Sequence, residues 1–122
     1  MGGIQMVVVE NMSKGKIVGD TKHVYFYRLV RGNIVMTSED GTMEVQSYGI
    51  EVERQDMLNE EVVGINREHI NNVSPHRHKV HNLLKLLYDN LVSPIHLVDI
   101  IGEYVDCYVN DYEEILEGTA TN

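Results

Sequence analysis

The chain has no tryptophan, one phenylalanine, two prolines and one cysteine in 122 residues. Each scarcity excludes something. The single Cys107 rules out an intrachain disulfide and fits a reducing compartment. With Phe26 the sole phenylalanine, seven tyrosines supply nearly all the aromatic mass. No apolar run approaches the roughly 18 residues that a membrane span needs. The opening MGGIQMVVVE has no basic segment before its short apolar run, which argues against a signal peptide. Met6 stands where myristoylation requires Ser or Thr. The expectation is a cytoplasmic protein with no membrane attachment. Also missing are G-x-S-x-G, H-E-x-x-H, C-x-x-C and a glycine-rich phosphate loop. A hydrolase or transferase therefore has no motif to rest on, no catalytic residue is assigned, and no cofactor is expected.

Net charge is −9, and it comes in blocks. Residues 1–38 carry +3, 39–73 carry −7, 74–91 carry +2, and 92–122 carry −7 with no Lys or Arg at all. A chain without a dominant basic surface is a poor nucleic-acid binder, because phosphate contacts supply most of that affinity. Alternating blocks point instead to attraction within the fold, or between two copies of it.

Hydrophobic periodicity divides the 122 residues into halves within one expected domain. The first half alternates as strands do. His23 to Arg31 is rich in β-branched and aromatic residues, Gly32-Asn33 suggests a turn into Ile34 to Thr37, and Asp40-Gly41 signals a hairpin. From Thr42 to Arg54 the phase changes: Met43 and Val45 share one parity, Tyr48, Ile50 and Val52 the other. A bulge near Gln46-Ser47 or at Gly49 would account for it. Further strands are expected at Glu61 to Arg67 and at Ile4 to Val9, with Lys14 to Lys16 in a loop and His69 to Asn72 a polar connector. The second half has helical spacing. Ser74-Pro75 reads as an N-cap followed by a first helical residue, and Val80, Leu84, Leu87 and Leu91 form an apolar stripe. Ser93-Pro94 opens a second helix almost at once, with Val92 and Leu97 placed as a hydrophobic staple. Ile95, Val98, Ile101 and Val105 make its stripe, flanked by Leu97, Tyr104 and Tyr108. The fold expected is α+β: an antiparallel four- or five-stranded meander (about 4–67), a two-helix hairpin packed on one face (about 74–109), and an acidic tail (about 110–122).

Two of these segments carry a resemblance. YGIEVE (Tyr48 to Glu53), followed some 40 residues later by VSPIHLVDII (Val92 to Ile101), resembles an uncharacterised family of small proteins from spore-forming anaerobic Gram-positive bacteria. The likeness covers about residues 24–106 and its motifs are structural. It implies a cytoplasmic bacterial protein and transfers no activity and no catalytic residue.

The chemically unusual feature is the start of the first helix. A helix N-terminus carries about half a positive charge and prefers acids, yet here the chain places His76, Arg77, His78 and Lys79. At about 100° per residue, Arg77, His81 and Lys85 form a basic stripe. That stripe either faces solvent, receives an acidic segment such as Asp111 to Glu117 from its own or a second chain, or binds an external anion. His76, His78 and His81 do not converge on one face, so no metal site is assigned. Cys107, between Asp106 and Tyr108 late in a helix, reads as a half-buried structural thiol. The expected function is a non-enzymatic protein-interaction or regulatory module, with a homodimer expected, acting through the hairpin and the residues His76, Arg77, His78, Lys79, His81 and Lys85. Its partner would be another protein or an acidic segment. The alternative is a small-anion or nucleotide sensor binding near Ser74. A DNA-binding helix-turn-helix is weaker, since the second helix has no Lys or Arg for phosphates.

Overall fold

The computed structural model describes residues 6–120, with side chains through residue 118. Four strands, β1 (Val7–Val18), β2 (Thr21–Ser38), β3 (Gly41–Leu58) and β4 (Glu61–Ser74), form one antiparallel meander in sequential order. Two helices follow, α1 (Arg77–Asp89) and α2 (Leu97–Ala120), with a 3-10 turn at Pro94–His96 leading into the second. The fold is α+β.

The strands are longer than the sequence suggests. Gly32-Asn33 is not a turn: β2 passes straight through it, paired with β3 without a break from Lys22–Met57 to Ser38–Gly41. Continuous pairing keeps the ladder of hydrogen bonds between the two strands, which a mid-strand reversal would forfeit. The hairpin falls where Asp40-Gly41 placed it, and Gly41 takes φ +120°. Lys14 to Lys16 belong to β1 rather than to a loop, and His69 to Asn72 belong to β4. Ile4 and Gln5 lie outside the described residues.

Tyr25, Tyr27 and Leu29 of β2 and Ile50 and Val52 of β3 share one face, and α1 covers it with Val80, Leu83, Leu84 and Leu87. Val73, Val92, Leu97 and Ile101 complete the same core. The phase change in β3 is not a bulge in that strand. Pairing with β4 does slip beside Gly49, but the step from Tyr48 to Ile50 on β3 faces the longer step from Ile70 to Ser74 on β4, so the extra residues lie on β4. Pairing with β2 does not slip at all. Instead the covered side changes: Ser47, Tyr48, Gly49 and Ile50 are all buried, and Ser47 meets Tyr112 of α2 through its hydroxyl. One strand is thus covered on both parities where Tyr112 of α2 meets it.

Helix α1 starts later than Ser74. That residue still pairs with Tyr48 in the sheet, His76 is the N-cap, and Arg77 is the first helical residue. At its far end α1 closes in a Schellman motif: Val92 N–H bonds to Leu87 carbonyl (3.0 Å) and Leu91 N–H to Tyr88 carbonyl (3.2 Å). Leu91 holds the left-handed position at φ +49°. Lys14 of β1 donates to the Tyr88 carbonyl at 3.0 Å, a cation at the negative end of the helix. The staple forms as expected, with Val92 and Leu97 both buried around Ser93-Pro94. Tyr27 hydroxyl donates to the Val92 carbonyl at 2.9 Å and fixes this link to the sheet. From there α2 runs back along β4, so that Asp111 reaches the first turn of α1. The acidic stretch from Asn110 is therefore helix, not tail, through Ala120.

Candidate interaction surface

The basic residues at the start of α1 are held by acids of the same chain. Arg77 Nε donates to Glu10 Oε2 at 3.1 Å, and His81 Nδ1 lies 2.6 Å from Glu10 Oε1. Glu10 is on β1, and its position opposite Leu29 directs it to the helix-bearing face. Lys79 Nζ sits 2.9 Å from both carboxylate oxygens of Asp111 and 5.0 Å from the Tyr108 ring centroid. Asp111 is itself buried and accepts a hydrogen bond from the Ser74 hydroxyl at 3.1 Å, while that hydroxyl accepts from His76 N–H. Lys85 pairs with Asp89 one turn on, at 3.5 Å. Of the six residues expected to form a binding site, four are thus paired. His76 and His78 stack near each other with ring centroids 5.9 Å apart, whereas His81 turns to Glu10. The extended backbone at His76 brings the first two rings together, which the helical-wheel angles had set apart.

An acidic segment around Asp111 was one of three expected fates of the stripe, but Asp111 meets Lys79 and the stripe itself pairs with Glu10 and Asp89. Glu10 was not legible, because strand pairing with no sequence signature brings it to α1. The two ion pairs act as latches: one ties the start of α1 to β1, the other ties it to α2. Burial alone would raise the Glu10 carboxyl, but the hydrogen bonds from His81 and Arg77 hold it below its ordinary 4.5. Burial likewise works against Asp111, and its bonds to Lys79 and Ser74 hold it below 3.8. The unfolded chain therefore binds these protons more tightly than the folded one. The stability contributed by both carboxylates is full above the ordinary carboxyl range and drains as pH falls through and below it. We expect the urea midpoint of the wild type to fall steeply on acidification through that range. An Asp111→Asn/Glu10→Gln variant should start lower at neutral pH and show a shallower acid slope. Parallel pH profiles for the two proteins would remove the latches from the account.

A second acid, Glu53, lies on the face of the sheet away from α1. It is 2% exposed, and receives Arg67 at 2.7 Å, Arg28 at 3.2 Å and Gln55 at 2.6 Å. Three donors around one carboxylate satisfy it, so it reads as a strut across β2, β3 and β4 and not as an acid awaiting substrate. Arg54 and Arg67 border a cleft between β4 and the interhelical link, facing Ser93, Pro94 and Ile95. Both are already engaged, Arg54 by Asp56 at 2.9 Å and Arg67 by Glu53.

One surface with exposed apolar residues is the outer side of α2 and of the turn before it. Leu97 and Ile101 fill the core, but Ile95 and Val98, expected beside Ile101 in one stripe, are 80% and 55% exposed. Packing chose the line through Leu97, Ile101 and Tyr112 because the staple sets the entry angle of the helix. Ile100, Tyr104 and Val109 are exposed too. Cys107 is a free, exposed thiol and not the half-buried one expected. No helix among the described residues is long and apolar enough to cross a membrane.

Sheet, hairpin and latches together define a small α+β protein in which a meander carries a helical hairpin. The chain belongs to the family of unknown function DUF6514, whose model matches residues 6–107. No curated protein matches it, and no solved structure does.

Proposed function

We propose that this protein is a non-enzymatic interaction module, regulatory in role, that presents the outer side of its helical hairpin to another protein. One observation carries the proposal. The basic residues at the start of α1 are engaged by Glu10 and Asp111, whereas α2 and the turn before it leave Ile95, Val98, Ile100, Tyr104 and Val109 exposed beside a core-facing line that is already filled. In this reading the stripe holds the hairpin in place, and the docking surface lies on the other helix. A single unpaired cysteine supports placing the module in a reducing cytoplasm.

The lone thiol also provides the test. Cys107 lies on exposed α2, so a maleimide photo-crosslinker attached there samples the outside of the hairpin. Irradiation in native cell extract should capture a defined protein in stoichiometric amount. The same reagent on a Cys107→Ser/Thr37→Cys variant, at the exposed far end of β2, should capture none. Equal, unspecific labelling from both positions would sink the proposal.

A small-anion sensor is the second reading. Its support is that the first turn of α1 contains no acid and that its N-cap makes no side-chain cap hydrogen bond. An anion there would compete with Asp111 for Lys79. A thermal shift with phosphate or nucleotide, lost in Arg77→Ala/Lys79→Ala, would favour it over the module.

A further inference from the structure

Helix α2 and the turn before it carry a pattern that the fold uses only in part, at Val105 and Tyr112. Ile95, Val98, Gly102, Val105, Val109 and Tyr112 follow one another in steps of three, four, three, four and three. That is the a/d spacing of a coiled coil, which keeps a single seam along a helix. The seam is offset from the core-facing line of Leu97 and Ile101. It is open at Ile95, Val98 and Val109, which are 80%, 55% and 49% exposed, it touches the core at the partly buried Val105, and it closes at Tyr112, which is buried and bonded to Ser47.

Gly102 sits at the middle of this seam. A glycine inside a helix is less stable there than alanine. Nothing in the fold explains it: a Cβ built on Gly102 meets nothing within 4 Å, and its φ is not positive. The missing side chain leaves a notch at an a position, where a partner's large apolar side chain would insert as a knob into a hole.

Charge beside the seam selects the occupant. The residue after each d position is acidic: Asp99 after Val98, Asp106 after Val105, Glu113 after Tyr112. None of these three takes part in an ion pair among the described residues. In a coiled coil these e positions face the flanking row of the partner and set its identity. A second copy of α2 fits badly. Antiparallel pairing would set acidic row against acidic row, and parallel pairing would set it against Ile101 and Tyr108, which α2 turns to its own fold. We infer that the outer seam of α2 docks an amphipathic helix of another protein, with apolar residues at heptad spacing and Lys or Arg in the row facing Asp99, Asp106 and Glu113.

This rests on the interaction-module reading and names the partner class, and the experiment separates the two. The probes are two synthetic three-heptad peptides with Ile at a and Leu at d, one with Lys and the other with Glu at e and g. Fluorescence anisotropy with the full chain should show the Lys peptide binding at least about tenfold tighter than the Glu peptide. That preference should weaken as salt rises from about 0.05 to about 0.5 M, since exposed charge pairs are screened. Asp99→Lys/Asp106→Lys/Glu113→Lys should reverse the preference. Gly102→Gln should lose at least about tenfold in affinity for the Lys peptide while its urea midpoint does not fall, because glutamine is the better helix former. Equal binding of both peptides, or a preference that the triple reversal leaves unchanged, overturns the inference. So does a wild-type dimer in light scattering that Gly102→Gln dissolves, which would assign the seam to a second copy. A protein captured through Cys107 equally well by wild type and by the triple reversal would overturn the inference while leaving the module reading intact.

Discussion

Replacing Gly49 with valine should destabilise the fold by about 3 kcal/mol, near the upper end for an overpacked site. At Gly49 a Cβ would stand 2.5 Å from the Ile70 carbonyl oxygen, 3.0 Å from the Asn71 Cα and 3.3 Å from the Asn72 nitrogen. All three are backbone atoms of β4, so no side-chain rotation relieves the contact. The close approach is the bulge itself: β3–β4 pairing slips at this residue, and Asn72 opposite takes φ +57°. Valine is a better strand former than glycine, so propensity alone predicts a gain. A measured loss would therefore report the crowding. With an m-value of about 2 kcal/mol per molar in urea, the midpoint should fall by about 1.5 M. Gly15→Ala is the control, because its Cβ would crowd the flexible end of Lys22 at 3.0 Å and meet backbone no nearer than the His23 carbonyl oxygen at 3.9 Å. A Gly49 variant as stable as the wild type would mean that β4 does not cross β3 this closely.

Tyr27→Ala is expected to cost about 4 kcal/mol, as truncation of a buried aromatic residue does. The ring is fully buried, stacks with Tyr25 at a 6.4 Å centroid distance, and meets Tyr88 edge-on at 6.0 Å. Burial also pushes the phenol pKa up, so the hydroxyl stays protonated and donates to Val92 at all ordinary pH values. Tyr27→Phe isolates that bond. It should cost about 1–2 kcal/mol, because the nearly buried Val92 carbonyl loses its donor. The effect of Tyr27→Phe should also be local. Val92 belongs to the link that sets where α2 begins, so amide exchange should quicken from Val92 to Ile101 before it does in β2 or β3. Uniform loss of protection would argue that the bond supports the whole core and not the hairpin alone.

These two sites also mark how far the sequence carries. The parity change between Val45 and Tyr48 drew attention to Gly49, but β3 keeps its register with β2 there. The extra residues of β4 beside it were not readable, since close backbone approach leaves no pattern in composition. Gly32-Asn33 shows the reverse error. Its local turn chemistry is genuine, but an uninterrupted ladder with β3 outweighs it. On the helices, the stripe of Val80, Leu84, Leu87 and Leu91 was plain from periodicity; the first three are buried, whereas Leu91 falls past the end of α1 in the closing turn. For α2 periodicity was ambiguous, because Ile95, Val98, Leu97, Ile101 and Tyr104 surround more than half the helix. Only the angle at which Val92 and Leu97 admit α2 decides which of its apolar lines meets the core.

The basic start of α1 divides in the same way. Composition and spacing place its cations correctly, and the charge blocks anticipate that acids of the chain would answer them. Asp111 does so from α2. Glu10 does so from β1, across 67 residues of sequence to Arg77, and only strand register sets it there.

What the sequence by itself determined is the class of each half: alternation makes the strands, 3.6-residue spacing makes the helices, and Ser-Pro starts bracket the hairpin. Those are local properties, governed by backbone geometry and by which face of an element is apolar. Tertiary structure alone decided which apolar line of α2 is buried, which carboxylates neutralise the stripe, and that Ile95, Val98 and Val109 remain outside. Such choices depend on contacts between residues far apart in the chain, where one packing arrangement wins over others that satisfy the same local pattern.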